Sequence, residues 1–344
     1  MTNRCCSAAD GDEKMTGTLL LNSSDVAALL DLPTCLAAVA DVLHRHAAGE
    51  TVPPRVLGLR APEGGIHVKG AGLLGSEPRL AVKLNANFPG NPQRFGLPTI
   101  QGVLVLFDGA SGQPLAVLDS MMITALRTAA TSALAARHLA RPESATLTVC
   151  GCGRQGAMHA RALCLDLPIT RVLLWDSDPD RPERLAGELA PQLSGVEVRR
   201  MDDLGAALAE TDVCATCTPA RTFFIRAEDI RPGTFIAAVG ADDQGKQELD
   251  PRLVARATLV ADSLAQCAEI GELQHAIAQG LMTAGQVHAE LGDLVSGARP
   301  GRTSKEEITV FDSTGTALQD LAAAIAVDRR ARATGTGRVV DFGA

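Results

Sequence analysis

The chain has 344 residues, 46% of them hydrophobic, and a formal net charge of −8. That length suits about two domains with sizeable cores. Scattered basic residues, a single tryptophan and no tyrosine argue against nucleic acid or an anionic membrane as partner. No run of eighteen apolar residues occurs, so no transmembrane helix is predicted.

Residues 1–14 are polar, carry two adjacent cysteines and lack the apolar core of a signal peptide. They read as part of a disordered extension over residues 1–18, with Met15 an alternative start. Nine cysteines without regular spacing fit a reducing, cytoplasmic setting. Cys214 and Cys217 have redox-motif spacing but lie in an apparent strand, where small buried residues are expected. The seven histidines do not cluster, so no metal is predicted.

Residues 19–22 read as a short strand, followed by a helix near Asp25 that Ser23 or Ser24 can cap. A second helix is expected over 32–48, because Leu32, Leu36, Val39 and Leu43 fall on one face. Between Val52 and Asp108 the pattern turns to strands broken by Gly and Pro. In one of them Ile66 and Val68 share a face, with His67 and Lys69 on the other. In the next, Val82, Leu84, Ala86 and Phe88 alternate with Ala81, Lys83, Asn85 and Asn87. The polar face can be a solvated side of an antiparallel sheet or a site; alternation leaves both open.

Residues 88–92 and 96–98 carry loop signals. An apolar strand over 99–107 turns at 108–112 into a hairpin partner over 115–118. One Ala-rich helix is expected over 120–140. Small residues flank its Arg127, which predicts a partly buried guanidinium in need of an anion, either a protein carboxylate or a ligand carboxylate.

The nucleotide signal comes next. Apolar residues 146–150 run into Gly151-x-Gly153-x-x-Gly156; a helix is expected over 159–165, and a second apolar run, 172–175, delivers Asp176. Strand, Gly-rich turn, helix, strand and acid form the dinucleotide-binding fingerprint. Gly151 permits the tight turn, Gly153 lets the backbone approach a pyrophosphate, and Gly156 lets the helix pack close. The helix N-terminus then offers free N–H groups to phosphate. Asp176 can accept hydrogen bonds from a ribose 2′-OH, which favours NAD; Arg181 nearby keeps NADP possible. Further strands are expected near 196–199, 213–216, 235–239, 259–260 and 308–311. With helices between them they imply a doubly wound parallel sheet, an α/β architecture. The loops after the strands should line the ligand crevice, and those at 217–220, 240–245 and 312–315 carry polar groups. A final helix over 317–331 is too apolar on one face to be free, so it is expected to return to the N-terminal part.

Arg55, Lys69, the Lys83-x-Asn-x-Asn-Phe-Pro-Gly-Asn-Pro stretch, Gly96-Leu-Pro-Thr, Leu126-Arg-Thr-Ala-Ala130, the glycine fingerprint, Val239-Gly-Ala-Asp242 and Phe311-Asp-Ser-Thr-Gly315 occur in that order. The whole resembles the ornithine cyclodeaminase / μ-crystallin family from about Leu19 onward. The resemblance implies a Rossmann domain, residues 126–312, inserted into an α+β substrate and dimerisation domain built from 19–125 and 313–344, and a homodimer. It also implies that Arg55, Lys69 and Arg127 hold a substrate α-carboxylate, that Lys83 lies by the reacting carbon and nitrogen, and that Asp242 faces the amine or the attacking water. Lys83, on an apolar strand near other cations, should have a pKa lowered toward neutrality. The expected cofactor contacts are Thr128, Gly151, Gly153, Arg154, Gln155, Gly156, Asp176, Thr218, Val239 and Ser313. The hydroxyls of Thr218 and Ser313 could equally cap backbone.

Three activities fit the resemblance. One is an NAD(P)-dependent amino-acid dehydrogenase or imine (ketimine) reductase acting at Cα of a small α-amino or α-imino acid. The second is an ornithine cyclodeaminase, a lyase in which NAD is regenerated. The third is a non-catalytic ligand binder of μ-crystallin type. The cyclodeaminases tend to have Lys-Tyr-Val-Asn-Gly-His-Pro where this chain has Lys83-Leu-Asn-Ala-Asn-Phe-Pro, and the Arg, Lys, Lys order is more like the imine-reducing relatives. The first activity is therefore the expectation. Arg60 and Arg94, which could meet a second carboxylate, are expected on the surface.

Overall fold

The computed structural model describes residues 17–342. Apart from Gly17 and Thr18, the expected N-terminal extension lies outside the described residues. The first part of the chain runs β1 (Thr18–Leu21), α1 (Ser23–Leu29), α2 (Leu32–Ala47), β2 (Thr51–Ala61), β3 (Gly64–Leu73), β4 (Arg79–Asn87), α3 (Asn91–Phe95), β5 (Ile100–Asp108), β6 (Pro114–Asp119) and α4 (Ser120–Leu139). The second runs β7 (Thr146–Cys150), α5 (Arg154–Asp166), β8 (Arg171–Trp175), α6 (Asp180–Leu189), β9 (Glu197–Arg200), α7 (Leu204–Glu210), β10 (Val213–Thr216), β11 (Arg221–Ile225), β12 (Phe235–Ala238), β13 (Gln247–Leu249), α8 (Pro251–Arg256), β14 (Thr258–Ala261), α9 (Leu264–Ile270), α10 (Leu273–Ala278), β15 (Ala289–Glu290), α11 (Leu291–Val295) and β16 (Thr309–Asp312). It closes with α12 (Ala317–Thr334) and β17 (Arg338–Val340).

Local chemistry explains most boundaries, and three differ from expectation. Helix α1 is capped by Asn22, not by Ser23 or Ser24: its side chain accepts from Ser24 N and Asp25 N, while Asp25 returns a bond to Asn22 N. The expected loop at 88–92 runs into the short helix α3, which Gly96 ends at φ +64°. Helix α5 begins at Arg154, directly after the glycine turn, rather than at 159.

Two main sheets organise the molecule. The first has strand order β17-β1-β6-β5-β4-β3-β2, antiparallel except for the β1–β6 pair. The second is wholly parallel, in the order β15-β14-β16-β12-β10-β7-β8-β9. Its direction of travel reverses at β7, so the crevice outside β7 and β10 is the switch point where such sheets bind ligands. A parallel pair, β11 with β13, stands apart; the sequence reading did not foresee it. Helix α4 packs on α2 and on α5, so one continuous helix serves both sheets, and residue 126 falls inside it. Helix α12 returns to pack on β3, β4, α2 and α4. No single helix among the described residues is long and apolar enough to cross a membrane.

The faces of the first sheet bear on the alternatives that alternation left open. The register aligns Val56, Lys69, Lys83, Leu104 and Leu118 across one face, and Leu57, Val68, Leu84 and Val103 across the other. The face with the lysines is the covered one: α12 lies on it, and Lys83 is 4% exposed. The apolar face is open, with Leu57, Leu59 and Val103 each more than two-fifths exposed. Around Lys83 the polar side is therefore not a solvated one, although His67 on the same face is exposed.

Candidate active site

The glycine turn is built as its spacing predicts. Gly151 has φ +100°, and a Cβ there would meet Cys217 O at 2.7 Å. A Cβ on Gly156 would fall 2.0 Å from Gly151 O, so α5 packs too close for a side chain. Around Gly153 a Cβ would meet nothing within 4 Å, and α5 has no side-chain cap there. The first N–H groups of a 13-residue helix thus face open space, a seat that fits a pyrophosphate. Asp176 accepts from Cys152 N at 2.8 Å and Asp178 N at 2.9 Å, which ties the turn to the end of β8. Arg154 is exposed beside the turn. Behind it the fully buried His159 donates from Nδ1 to Gln155 O, because a carbonyl only accepts; its Nε2 then accepts from Ser132 Oγ at 2.9 Å. Burial pushes this imidazole down to about 4, so it is a neutral cross-link between α5 and α4.

Three cations of the first sheet and α4 point to the same quarter. Lys83 Nζ lies 2.6 Å from Asp320 Oδ2, and Arg127 Nε lies 3.0 Å from Asp320 Oδ1. Arg127 also donates from Nη1 to Gln319 Oε1 at 2.7 Å. The sequence left the anion of Arg127 open between protein and ligand; the structure supplies a protein carboxylate. Asp320 is 1% exposed, and its two basic neighbours hold its carboxyl below the usual range despite burial. Lys69 donates to Gly315 O at 2.7 Å and Thr314 O at 3.2 Å, and so ties the first sheet to the loop after β16. Lys83 and Arg127 share the carboxylate of Asp320, and the hydrogen bonds of Lys69 go to carbonyls, so the cluster suits an added anion. Burial, with Arg127 and Lys69 nearby, pushes Lys83 down from 10.5 to about 7 against the pull of Asp320. This matches the direction expected for it. Burial also lowers Lys69, while Asp242 is among the carboxylates that oppose the shift. Asp242 is exposed at the crevice and pairs with Lys246 at 2.5 Å.

Arg55 is not brought to this cluster. It pairs with Gly70, which places it on the open face of the sheet, opposite Lys69; it is exposed. Arg94, as expected, is a surface residue, paired with Glu63 and lying over the ring of Phe95. Thr128 turns its hydroxyl back to Thr124 O within α4. Ser313 donates to Asp262 at 3.3 Å, beneath the crevice rather than into it. Thr218 Oγ1 accepts from Ala220 N and so follows the backbone-capping alternative, whereas the Ser313 hydroxyl goes to a side-chain carboxylate instead. Val239 is buried at the end of β12.

Sequence reasoning missed four residues: Asp320, Gln319, Asp262 and Glu248. Asp262 receives Gly315 N at 2.6 Å and Thr314 Oγ1 at 3.0 Å, and Glu248 receives Thr218 N and Gly240 N. For Asp320 a signal existed. It is the lone charge among residues 317–327, the Ala-rich and largely apolar first part of α12, and a charge on an apolar face has to find a partner.

A doubly wound sheet with an open glycine turn, beside a cluster of cations from a second sheet and α4, defines a dinucleotide-binding α/β protein. The chain belongs to the ornithine cyclodeaminase/mu-crystallin family, whose model matches residues 16–335. It is 40% identical over 263 residues to an iminosuccinate reductase of Paracoccus denitrificans, covering 76% of this chain and 80% of that one. An archaeal alanine dehydrogenase, solved as a dimer with bound NAD, superposes with a TM-score of 0.90 at 33% identity, covering 95% of this chain and all of that one. The Δ1-pyrroline-2-carboxylate reductase of Thermococcus litoralis, solved with NADH and L-proline, gives a TM-score of 0.90 at 31% identity over 94% of this chain and all of that one.

Proposed function

We propose that this protein is an NAD-dependent imine reductase or amino-acid dehydrogenase acting at Cα of a small α-imino or α-amino acid. The observation that carries it is Lys83: a buried ammonium with a pKa near 7, held by Asp320 and flanked by two further cations at the edge of a nucleotide crevice. The dinucleotide would rest on the turn 151–156 with its ribose toward Asp176; when bound, it supplies or accepts the hydride at Cα. Everything else falls to side chains. Lys69 and Arg127 neutralise the carboxylate and fix its direction, with Nε and Nη1 of the guanidinium already engaged by Asp320 and Gln319. The Lys83 ammonium gives a proton to the substrate nitrogen in the reducing direction and takes it back in the oxidising one. Asp242, exposed across from Lys69, steadies positive charge on that nitrogen. By this reading the first sheet with α12 serves the substrate and the parallel sheet serves the cofactor. Arg55, on the open face, is left out of the carboxylate grip.

The open face of the first sheet supports a homodimer. Its apolar rows, Leu57–Val68–Leu84–Val103 and Leu59–Ile66–Ala86, cross several strands, and Leu57, Leu59, Ile66, Leu84 and Val103 stay exposed among the described residues. Seven free cysteines among the described residues, five of them buried, suit a reducing compartment, and the cytoplasm is the proposed location.

The test is a panel assay on purified protein. Pyruvate or glyoxylate with ammonia or methylamine, and cyclic imino acids, are offered with NADH; ornithine is offered with NAD. Net NADH consumption with a member of the imine panel is the expected result. Ammonia release from ornithine without net NADH change would make the protein a cyclodeaminase instead, and nucleotide binding without any turnover would make it a binder.

A further inference from the structure

The loops that wall the crevice beyond the glycine turn are tied together by carboxylates rather than to one another. Glu248, on β13, is fully buried. Its Oε1 accepts from Thr218 N at 2.7 Å and its Oε2 from Gly240 N at 2.8 Å. Thr218 follows β10 and Gly240 follows β12, so a single carboxylate spans two neighbouring crevice loops. The fit is close: a Cβ on Gly240 would fall 2.3 Å from Thr218 O and 2.5 Å from Glu248 Oε2. Behind Glu248 the pattern repeats. Glu272 receives Glu248 N at 2.7 Å and Leu249 N at 3.2 Å. Asp312 in turn receives Glu272 N at 3.1 Å and Leu273 N at 3.0 Å. Asp312 ends β16 and leads into residues 313–315, which Lys69 touches.

Burial pushes both Glu248 and Glu272 above the usual carboxylate range, so a carboxylate is costly to place here. What a carboxylate adds is geometry. Two acceptors in one rigid plane hold two N–H groups of separate loops at a set spacing. Both loops lie across β7 from β8 and Asp176, so they face the nicotinamide end of the crevice, not the adenosine end. We propose that Glu248 is a positioning residue for the nicotinamide half of the cofactor: by clasping the loops after β10 and β12 it sets the wall against which that half rests. The proposal takes the nucleotide seat at 151–156 as given.

The chain carries its own probe. Trp175, the only tryptophan, ends β8 beside Asp176 and stacks on Phe224 with ring centroids 5.4 Å apart. Energy transfer from it to NADH reports binding without any substrate, and ADP, which lacks the nicotinamide half, competes for the adenosine end. In Glu248→Gln one oxygen becomes an NH2 that opposes a backbone N–H. The expected result is a Kd for NADH raised about tenfold, with the Kd for ADP changed less than about twofold. Glu248→Asp, which keeps the charge but shortens the reach, should show the same split, so a failure of the glutamine variant to fold does not remove the test. Hydrogen exchange should show faster amides at Thr218 and Gly240. Equal weakening of NADH and ADP, or an unchanged NADH affinity in a folded variant with those amides deprotected, would overturn the positioning role. If the unaltered protein bound neither NADH nor ADP, the nucleotide reading would fall and the positioning role with it.

Discussion

Lys83 shows how far a single side chain depends on its neighbours. Its ammonium is 4% exposed, and burial with two nearby cations brings it from 10.5 to about 7, while Asp320 holds it up. The sign of the pH dependence follows. Reduction needs the protonated lysine, so its rate should fall as pH rises through about 7. Oxidation of the amine needs the neutral lysine, so that rate should rise through the same region; steady-state profiles in both directions check this. Asp320→Asn removes the group that raises the pKa, so the limb should move to lower pH, and an unmoved limb would remove Lys83 as its source. Lys83→Met should lower kcat by about 10²- to 10⁴-fold while NADH still binds. Unchanged turnover in that variant would show that another group handles the proton.

Two glycines of one turn separate folding from binding at the level of an element. A Cβ on Gly156 has to displace the Gly151 carbonyl, 2.0 Å away, so Gly156→Ala should cost about 1–3 kcal/mol of stability and loosen α5 from β7. A Cβ on Gly153 meets nothing within 4 Å, and its φ of −90° suits alanine. Gly153→Ala should therefore leave the thermal midpoint in place and still weaken NADH, since the methyl group occupies the approach of the pyrophosphate. Calorimetry with an NADH titration on both variants checks the pair. If Gly153→Ala binds NADH normally, the pyrophosphate does not lie where the turn invites it.

For the whole molecule, the open apolar face is the feature a lone chain leaves unexplained. Leu57 and Leu59 are each more than half exposed, in rows that cross the sheet, while Lys83 on the opposite face is buried. The proposed second copy would bury this face, as α12 covers the other. Leu59→Glu with Leu84→Glu should convert a dimer to a monomer in sedimentation or size exclusion. The active-site cations sit on the opposite face, so NADH binding by the monomer should persist. A wild-type monomer at micromolar concentration would dispose of this interface.

Local patterns carried the chain a long way. The glycine turn, the acid after β8, the strand sequence of the parallel sheet and the return of the last helix are all short-range or periodic, because turn sterics and face alternation act within a few residues. The pairing of Lys69 with Lys83 was half legible: alternation put each on the polar face of its strand, but not which face α12 would cover. Asp320, 237 positions from Lys83, Glu248 between two loops and the exile of Arg55 to the open face were invisible, and each arises from contacts between segments distant in the chain. So the amino-acid order by itself determined the glycine turn and the kinds of residue available for chemistry. Only the tertiary structure decided which buried charges meet, because the penalty for an unpaired buried charge is settled by whatever packs against it.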